Sequence, residues 1–175
     1  MKKFFVVIPA RLKSKRLPNK PLIKIQGKEL IFRTYQQCAK AVNRKNIIVA
    51  TDSPKILNFC KKKKINVIIT SKKCLTGTDR VAEVAKKIKA SFYINLQGDE
   101  PFFNPKDLKK IITYSSKKPN EIINGYCDIK DEKLFRNPSI PKVIINKKDY
   151  LIYMSRAAIP TTKKKEFKKA WRQIC

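Results

Sequence analysis

The sequence predicts an α/β fold in which a mainly parallel sheet is covered on both faces by helices, and two observations carry that reading. Apolar runs of strand length, "FFVVI" (4–8), "NIIVATD" (46–52), "INVIITS" (65–71) and "SFYINLQ" (91–97), alternate with segments whose apolar residues recur at helical spacing. Strands separated by helices of this length pair in parallel, because the crossover returns the chain to the same end of the sheet. The chain is also long enough, at 175 residues with 42% hydrophobic side chains, for one domain spanning 1–175 around a proper core.

The first strand is expected to stop at Pro9, which has no N–H for the ladder, so that the basic segment "RLKSKRLPNKPL" hangs as a loop from the strand's carboxyl end. "GKELIFRTYQQCAKAV" (27–42) then places Leu30, Ile31, Thr34, Tyr35, Cys38, Ala39 and Val42 on one helical face. The second strand (46–52) leads into "SPKILNFCKKKK" (53–64), where Ser-Pro is a helix start and Ile56, Leu57, Phe59 and Cys60 give an inner face. After the third strand, "TGTDRVAEVAKKIKA" (76–90) opens with a capping Thr and an acidic first turn and buries Val81, Val84, Ala85 and Ile88. The fourth strand ends at a sharp "GDEP" turn, and "PKDLKKIITYSSKK" (105–118) is again a helix. Beyond it, "EIINGYCDI" (121–129) and "PKVIINKKDYLIYMS" (141–155) read as strands of mixed direction with a hairpin at "NKKD". The tail "KKKEFKKAWRQIC" sets Phe167, Ala170 and Trp171 at helical spacing.

The formal charge of +29 points to polyanionic partners, whether nucleic acid, anionic lipid or phosphorylated small molecules. Lys far outnumbers Arg and is spread along the chain, which argues against a dedicated nucleic-acid face and for a local phosphate site. Five cysteines without a CxxC pair, and no histidine, argue against a zinc site of the usual kind and against a Ser-His or Cys-His pair. Reduced thiols in a cytoplasmic protein are the expectation. The apolar run behind Lys2 and Lys3 is broken by Pro9 and Arg11, too short for a signal-peptide core or a membrane span.

Three polar clusters follow predicted parallel strands: the opening basic loop, Thr51-Asp52, and Gln97-Gly98-Asp99-Glu100. Topology brings such strand ends to one rim of a sheet, where ligands bind. A rim with Arg11, Arg16 and Lys20 beside the carboxylate pair Asp99-Glu100 suits a nucleoside triphosphate, the cations neutralising phosphates and a carboxylate holding Mg²⁺. The loop contains neither GxxxxGK[ST] nor GxGxxG, so phosphates would be cradled by side chains and a proline-stiffened backbone rather than by glycine amides.

"IPARLKSKRLPNKPL", "ATDS", "TGTDRVAEV", "LQGDEP" and "MSRAAIP" together resemble, in order and spacing over nearly the whole chain, the sugar nucleotidyltransferase family. "RLPNKPL", "QGDEP" and "SRAAIP" are most similar to the branch that activates 3-deoxy-manno-octulosonate, an eight-carbon acid sugar. The resemblance implies a three-layer α/β/α nucleotide-diphospho-sugar transferase fold, transfer of CMP from CTP to the sugar's anomeric hydroxyl with release of pyrophosphate, and a Mg²⁺ requirement. It implies that Arg11 and Lys20 hold the triphosphate, with Pro9 and Ala10 near the base, Arg80 by the nucleotide, Gln97 near the sugar or ribose, and Asp99 on the metal. Arg11, Lys20 and Asp99 would be the catalytic set, and Ser155 and Arg156 would meet the acid sugar, where a guanidinium suits a carboxylate. Family members continue past the position of Cys175, so the resemblance also implies a fold incomplete at the carboxyl end, without a second metal-binding aspartate, and a homodimer where that part is present. Another acid sugar (an amino-substituted analogue or a sialic acid), a non-catalytic nucleotide binder and a basic nucleic-acid-binding protein remain as alternatives.

Overall fold

The strand β1 (Phe4–Ala10) forms from an unbroken apolar run, and its two faces are both buried. In this computed structural model, which describes residues 2–12, 17–118, 120–161, 163, 167 and 169–174, β1 pairs in parallel with β4 (Ile47–Thr51) on one side and β6 (Phe92–Asn95) on the other. β4 pairs in turn with β5 (Val67–Ile69), so the sheet runs β5-β4-β1-β6, all parallel as the alternation predicts. Phe4, Val6, Ile8 and Ala10 pack into a core with Ile31, Tyr35 and Cys38 of α1 (Leu30–Ala39), Ile56 and Cys60 of α2 (Pro54–Lys62), and Leu108 and Ile112 of α4 (Pro105–Lys117). Val7 points the other way, with Ile48, Ala50 and Val84 of α3 (Gly77–Lys87). The period-2 alternation of β1 therefore divides its side chains between two helical layers.

Pro9 does not end the first strand. The ladder with β4 runs on through Pro9↔Ala50 to Ala10↔Thr51. The Val7 carbonyl accepts from Leu96 on the β6 side, and in a parallel strand residue 9 points its backbone groups the same way as residue 7. The N–H that proline lacks therefore lies on the β6 side, beyond the last β1–β6 pair, Val7↔Asn95, while the β1–β4 ladder continues past it.

The first helix starts later than its periodicity suggests. Gln26 and Gly27 both have positive φ, 48° and 75°, and form the turn of a small hairpin between β2 (Lys24–Ile25) and β3 (Lys28–Glu29). Residues 27–29 are thereby taken from the helix. The other starts follow their capping chemistry: Ser53 accepts from the Ile56 N–H ahead of Pro54, Thr76 and Asp79 form a reciprocal capping box, and Asn104 accepts from the Lys106 N–H.

The chain divides into two compact units, Met1–Glu121 and Ile122–Cys175, where the sequence reading treats 1–175 as one domain. In the second unit, β7 (Gly125–Ile129), β8 (Lys142–Ile145), β9 (Leu151–Ser155) and β10 (Ala170–Ile174) form an antiparallel sheet in the order β7-β10-β8-β9. The expected hairpin joins β8 to β9, its turn held by Asn146, whose side-chain oxygen accepts from the Lys148 and Tyr150 N–H groups. The expected terminal helix is instead a strand. "AWRQI" fills the gap between β7 and β8 and pairs with both, so ladder bonds on two edges outweigh an i, i+3 apolar spacing that had no helical layer to face. Phe167 and Ala170 still pack together, against Ile129 and Phe135. Phe135 sits on α5 (Glu132–Arg136), a helix too short to leave a periodic signal and capped by Asp131.

Candidate functional site

A cavity of about 970 Å³ opens at the carboxyl ends of the parallel strands in the first unit. Its walls are the end of β1 with the residues after it (Pro9–Leu12), the turn Pro18–Pro21, the start of α3 (Thr76, Gly77, Arg80) and the loop after β6 (Gln97–Asp99). From β1 the chain proceeds to β4 and β5 on one side, whereas β6 joins on the other. The crevice thus lies at the switch point where such sheets bind ligands.

The basic loop is shaped by its backbone. Asn19 adopts a left-handed conformation, φ 57°, its N–H donating to the Leu12 carbonyl at 3.1 Å, and Lys20-Pro21-Leu22 make one turn of 3-10 helix behind it. This reversal brings Lys20 back over the cavity, where its ammonium forms an ion pair with Asp99. Both groups are well exposed, 36% and 43%, so the pair contributes little to stability and each partner is readily transferred to an arriving ligand. Arg11 also lines the cavity and donates to the Leu75 carbonyl at 3.3 Å. Arg16, together with Lys13 and Lys15, lies outside the described residues.

Two glycines allow the walls to meet. A Cβ on Gly98 would stand 2.9 Å from the Pro9 carbonyl oxygen, and one on Gly77 would stand 3.0 Å from Pro9 Cγ. Pro9 is flanked by both, which lets the α3 start and the Asp99 loop close on the end of β1. Gly98→Ala must push backbone from backbone, so it is expected to cost about 1–3 kcal/mol, measured by denaturant unfolding. An unfolding midpoint unchanged from the parent chain would contradict that close contact.

Arg80 lines the same cavity, yet it is only 2% exposed and its guanidinium makes three hydrogen bonds within the fold. Nη1 donates to Thr70 Oγ1 at 2.6 Å and to the Ser71 carbonyl at 3.3 Å, and Nη2 donates to Asp52 at 2.9 Å. It ties α3 to the ends of β4 and β5. Of the sequence-predicted residues, Pro9, Ala10, Arg11, Lys20, Arg80, Gln97 and Asp99 come together around this cavity. Ser155 and Arg156 belong to the second unit. Ser155 Oγ accepts from the Ala157 N–H, and the Arg156 guanidinium donates to the Pro138 and Ser139 carbonyls at 3.0 and 3.1 Å. Thr76, Gly77, Gly98 and Asn19 are wall residues that sequence reasoning did not select as such; the glycine directly behind a capping Thr, and the one inside "QGDEP", were the available signals.

The electrostatics around the site come from hydrogen bonding more than from burial. The Ser71 N–H and Lys87 hold the Glu83 carboxyl down to about 2, well below its ordinary 4.5, and the Thr76 backbone N–H lowers that of Asp79. A depressed acid stabilises the fold above its unfolded value and ceases to do so as pH falls toward the folded one. Glu83→Gln is therefore expected to flatten the acid loss of stability between about pH 4.5 and about pH 2, read from denaturant midpoints at stepped pH. Burial pushes the Cys38 and Cys60 thiols up to about 12, which leaves them protonated and unreactive at neutral pH. Among the described residues no His, Cys, Asp and Glu side chains group in threes as a metal cage, and no helix is long and apolar enough to cross a membrane.

A crevice at a switch point, with cations and one carboxylate on its rim and no glycine phosphate loop, suits a nucleotidyltransferase, and comparison with known proteins places the chain in that class. The chain belongs to the cytidylyltransferase family, whose family model, "Cytidylyltransferase", matches residues 5–171. Within it, the chain is 40% identical over 161 residues to 3-deoxy-manno-octulosonate cytidylyltransferase of Polynucleobacter necessarius subsp. necessarius (strain STIR1), covering 90% of this chain and 63% of that protein. It is 40% identical over 159 residues to the protein of the same name from Francisella philomiragia subsp. philomiragia, covering 89% of this chain and 63% of that one. The solved structure of CMP:2-keto-3-deoxy-manno-octonic acid synthetase complexed with CTP superposes with a TM-score of 0.89 at 33% identity, over 98% of this chain and 71% of that one. The α/β fold expected from the sequence is thereby confirmed. The chain spans less than two thirds of the length of these curated relatives.

Proposed function

We propose that the chain serves transfer of CMP from CTP to the anomeric hydroxyl of 3-deoxy-D-manno-octulosonate, with release of pyrophosphate. The observation that carries this reading is the convergence of Lys20 and Asp99, from separate loops, on one rim of a cavity that Arg11 also lines. Arg11 and Lys20 bind the triphosphate and offset the charge that builds on the departing pyrophosphate, while Pro9 and Ala10 border the base and Gln97 the ribose or sugar. Holding the nucleotide for in-line attack supplies the rest of the acceleration, so a chain without histidine can serve this chemistry.

The donor chemistry fits Mg²⁺. Asp99 presents one exposed carboxylate among phosphate-binding cations, and Mg²⁺ takes one or two carboxylates while filling its shell with water and substrate phosphates. Bound at Asp99, the ion supplies charge neutralisation of the phosphates and a lower cost of ionising the attacking hydroxyl. Lys20, released from Asp99, would be free to bind the phosphates. Ser155 and Arg156 are assigned to the acid sugar on the family resemblance, and a cytoplasmic location, with a homodimer where the carboxyl-terminal part is present, belongs to the same reading.

The test is pyrophosphate release by the purified chain with CTP and Mg²⁺ and, in turn, 3-deoxy-manno-octulosonate, its amino-substituted analogue and a sialic acid. Release with the first acceptor above the others is expected. Release favouring another acceptor overturns the substrate assignment, and release with none of them overturns the activity.

A further inference from the structure

The loop that carries Asp99 is held along its length by α1. Thr34 and Gln37 stand one helical turn apart on that helix, on the face toward the loop. Thr34 Oγ1 donates to the Gly98 carbonyl at 3.1 Å, sharing its proton with the Leu30 carbonyl of its own helix at 3.3 Å. Gln37 Nε2 donates to the Phe103 carbonyl at 3.2 Å. The two bonds therefore bracket residues 98–103. Thr34 is fully buried, so water does not compete for its hydroxyl, and Gly98 is further confined by its approach to Pro9.

We propose that Thr34 and Gln37 are positioning residues for Asp99, fixing both ends of its loop so that the carboxylate stays opposite Lys20 at the cavity rim. The inference rests on the reading of Asp99 as the metal-holding carboxylate. Apolar side chains at these two positions would leave the Gly98 and Phe103 carbonyls without these donors, so the pair ties the loop to α1 by bonds that packing alone would not supply. Groups that orient a metal-binding carboxylate without touching the metal control affinity through geometry alone.

Thr34→Val keeps shape and removes the donor, whereas Thr34→Ser keeps the donor. Calorimetric CTP titrations with Mg²⁺ and with chelator, on the full chain, should show the metal-dependent gain of Thr34→Val reduced about tenfold while metal-free binding stays within about twofold. Amide hydrogen exchange at Asp99 and Glu100 should quicken in Thr34→Val, and Thr34→Ser should restore both readouts. Gln37→Met, on a half-buried position where folding is not at stake, should produce the same pattern with faster exchange nearer Phe103. An undiminished metal-dependent gain in Thr34→Val and Gln37→Met, or no rescue by Thr34→Ser, overturns the proposal. Absence of any metal-dependent gain in the unmutated chain overturns the reading of Asp99 instead; unchanged loop exchange in the variants would then overturn the brace itself.

Discussion

Asp99→Asn is expected to abolish the Mg²⁺-dependent gain in CTP affinity, a loss of at least about 100-fold, because the amide presents a neutral oxygen where the metal needs a charge. Metal-free CTP binding should hold or rise in the same variant. Asp99 is paired with Lys20, so neutralising it releases a cation to the phosphates and removes a negative charge beside them. This opposite response separates a metal-holding carboxylate from one that merely orders the loop. Asp52→Asn is the control: its carboxylate is turned toward Arg80, and its effect should appear in stability. Calorimetry with Mg²⁺ and with chelator reads both. Equal losses of metal dependence in the two variants would refute the assignment of Asp99.

The second large effect concerns Arg80. Arg80→Met should destabilise the first unit by about 3 kcal/mol, since Asp52 and Thr70 lose their donor and a half-covered carboxylate is left beside the core. The melting temperature should fall by roughly 10 °C. Arg80→Lys should recover less than half of that, as a single ammonium cannot reach Thr70, Ser71 and Asp52 with the spread of a guanidinium. Combining Arg80→Met with Asp52→Asn should be milder than Arg80→Met alone, because the stranded charge is gone. If Arg80→Met instead melted at the parent temperature and lost CTP binding, Arg80 would be a nucleotide contact rather than the tie between α3 and the strand ends.

The fold of the first unit was legible because its signals were local and mutually consistent. Apolar runs marked β1, β4, β5 and β6, and Ser53 and Thr76 marked helix starts through side-chain chemistry that needs no partner elsewhere. What the sequence concealed depended on tertiary context. Pro9 reads as a strand breaker in isolation, and becomes harmless once its missing N–H is known to face past the end of the β1–β6 pairing. The "AWRQI" tail carries a helical spacing, and only the two strands waiting on either side of it decide for an extended chain.

The candidate site divides in the same way. Lys20 and Asp99 are 79 residues apart, and their polarity and positions after apolar runs were enough to place them on one rim. Arg80 could be read as a cavity residue but not as a tie within the fold, because its partners Asp52 and Thr70 come from two other strand ends. The role of Gly98 was hidden for a similar reason. A glycine in a turn suggests backbone freedom, while here the constraint is the Pro9 carbonyl against which a side chain would collide.

The central claim is that this cavity is built for CTP with a divalent metal, and calorimetric titration of CTP against ATP, each with Mg²⁺, tests it most directly. CTP is expected to bind the more tightly, by about tenfold or more, with the preference retained when both titrations are repeated in chelator because base recognition does not pass through Asp99. Equal affinities for the two nucleotides, or no binding by a chain shown to be folded, would contradict it.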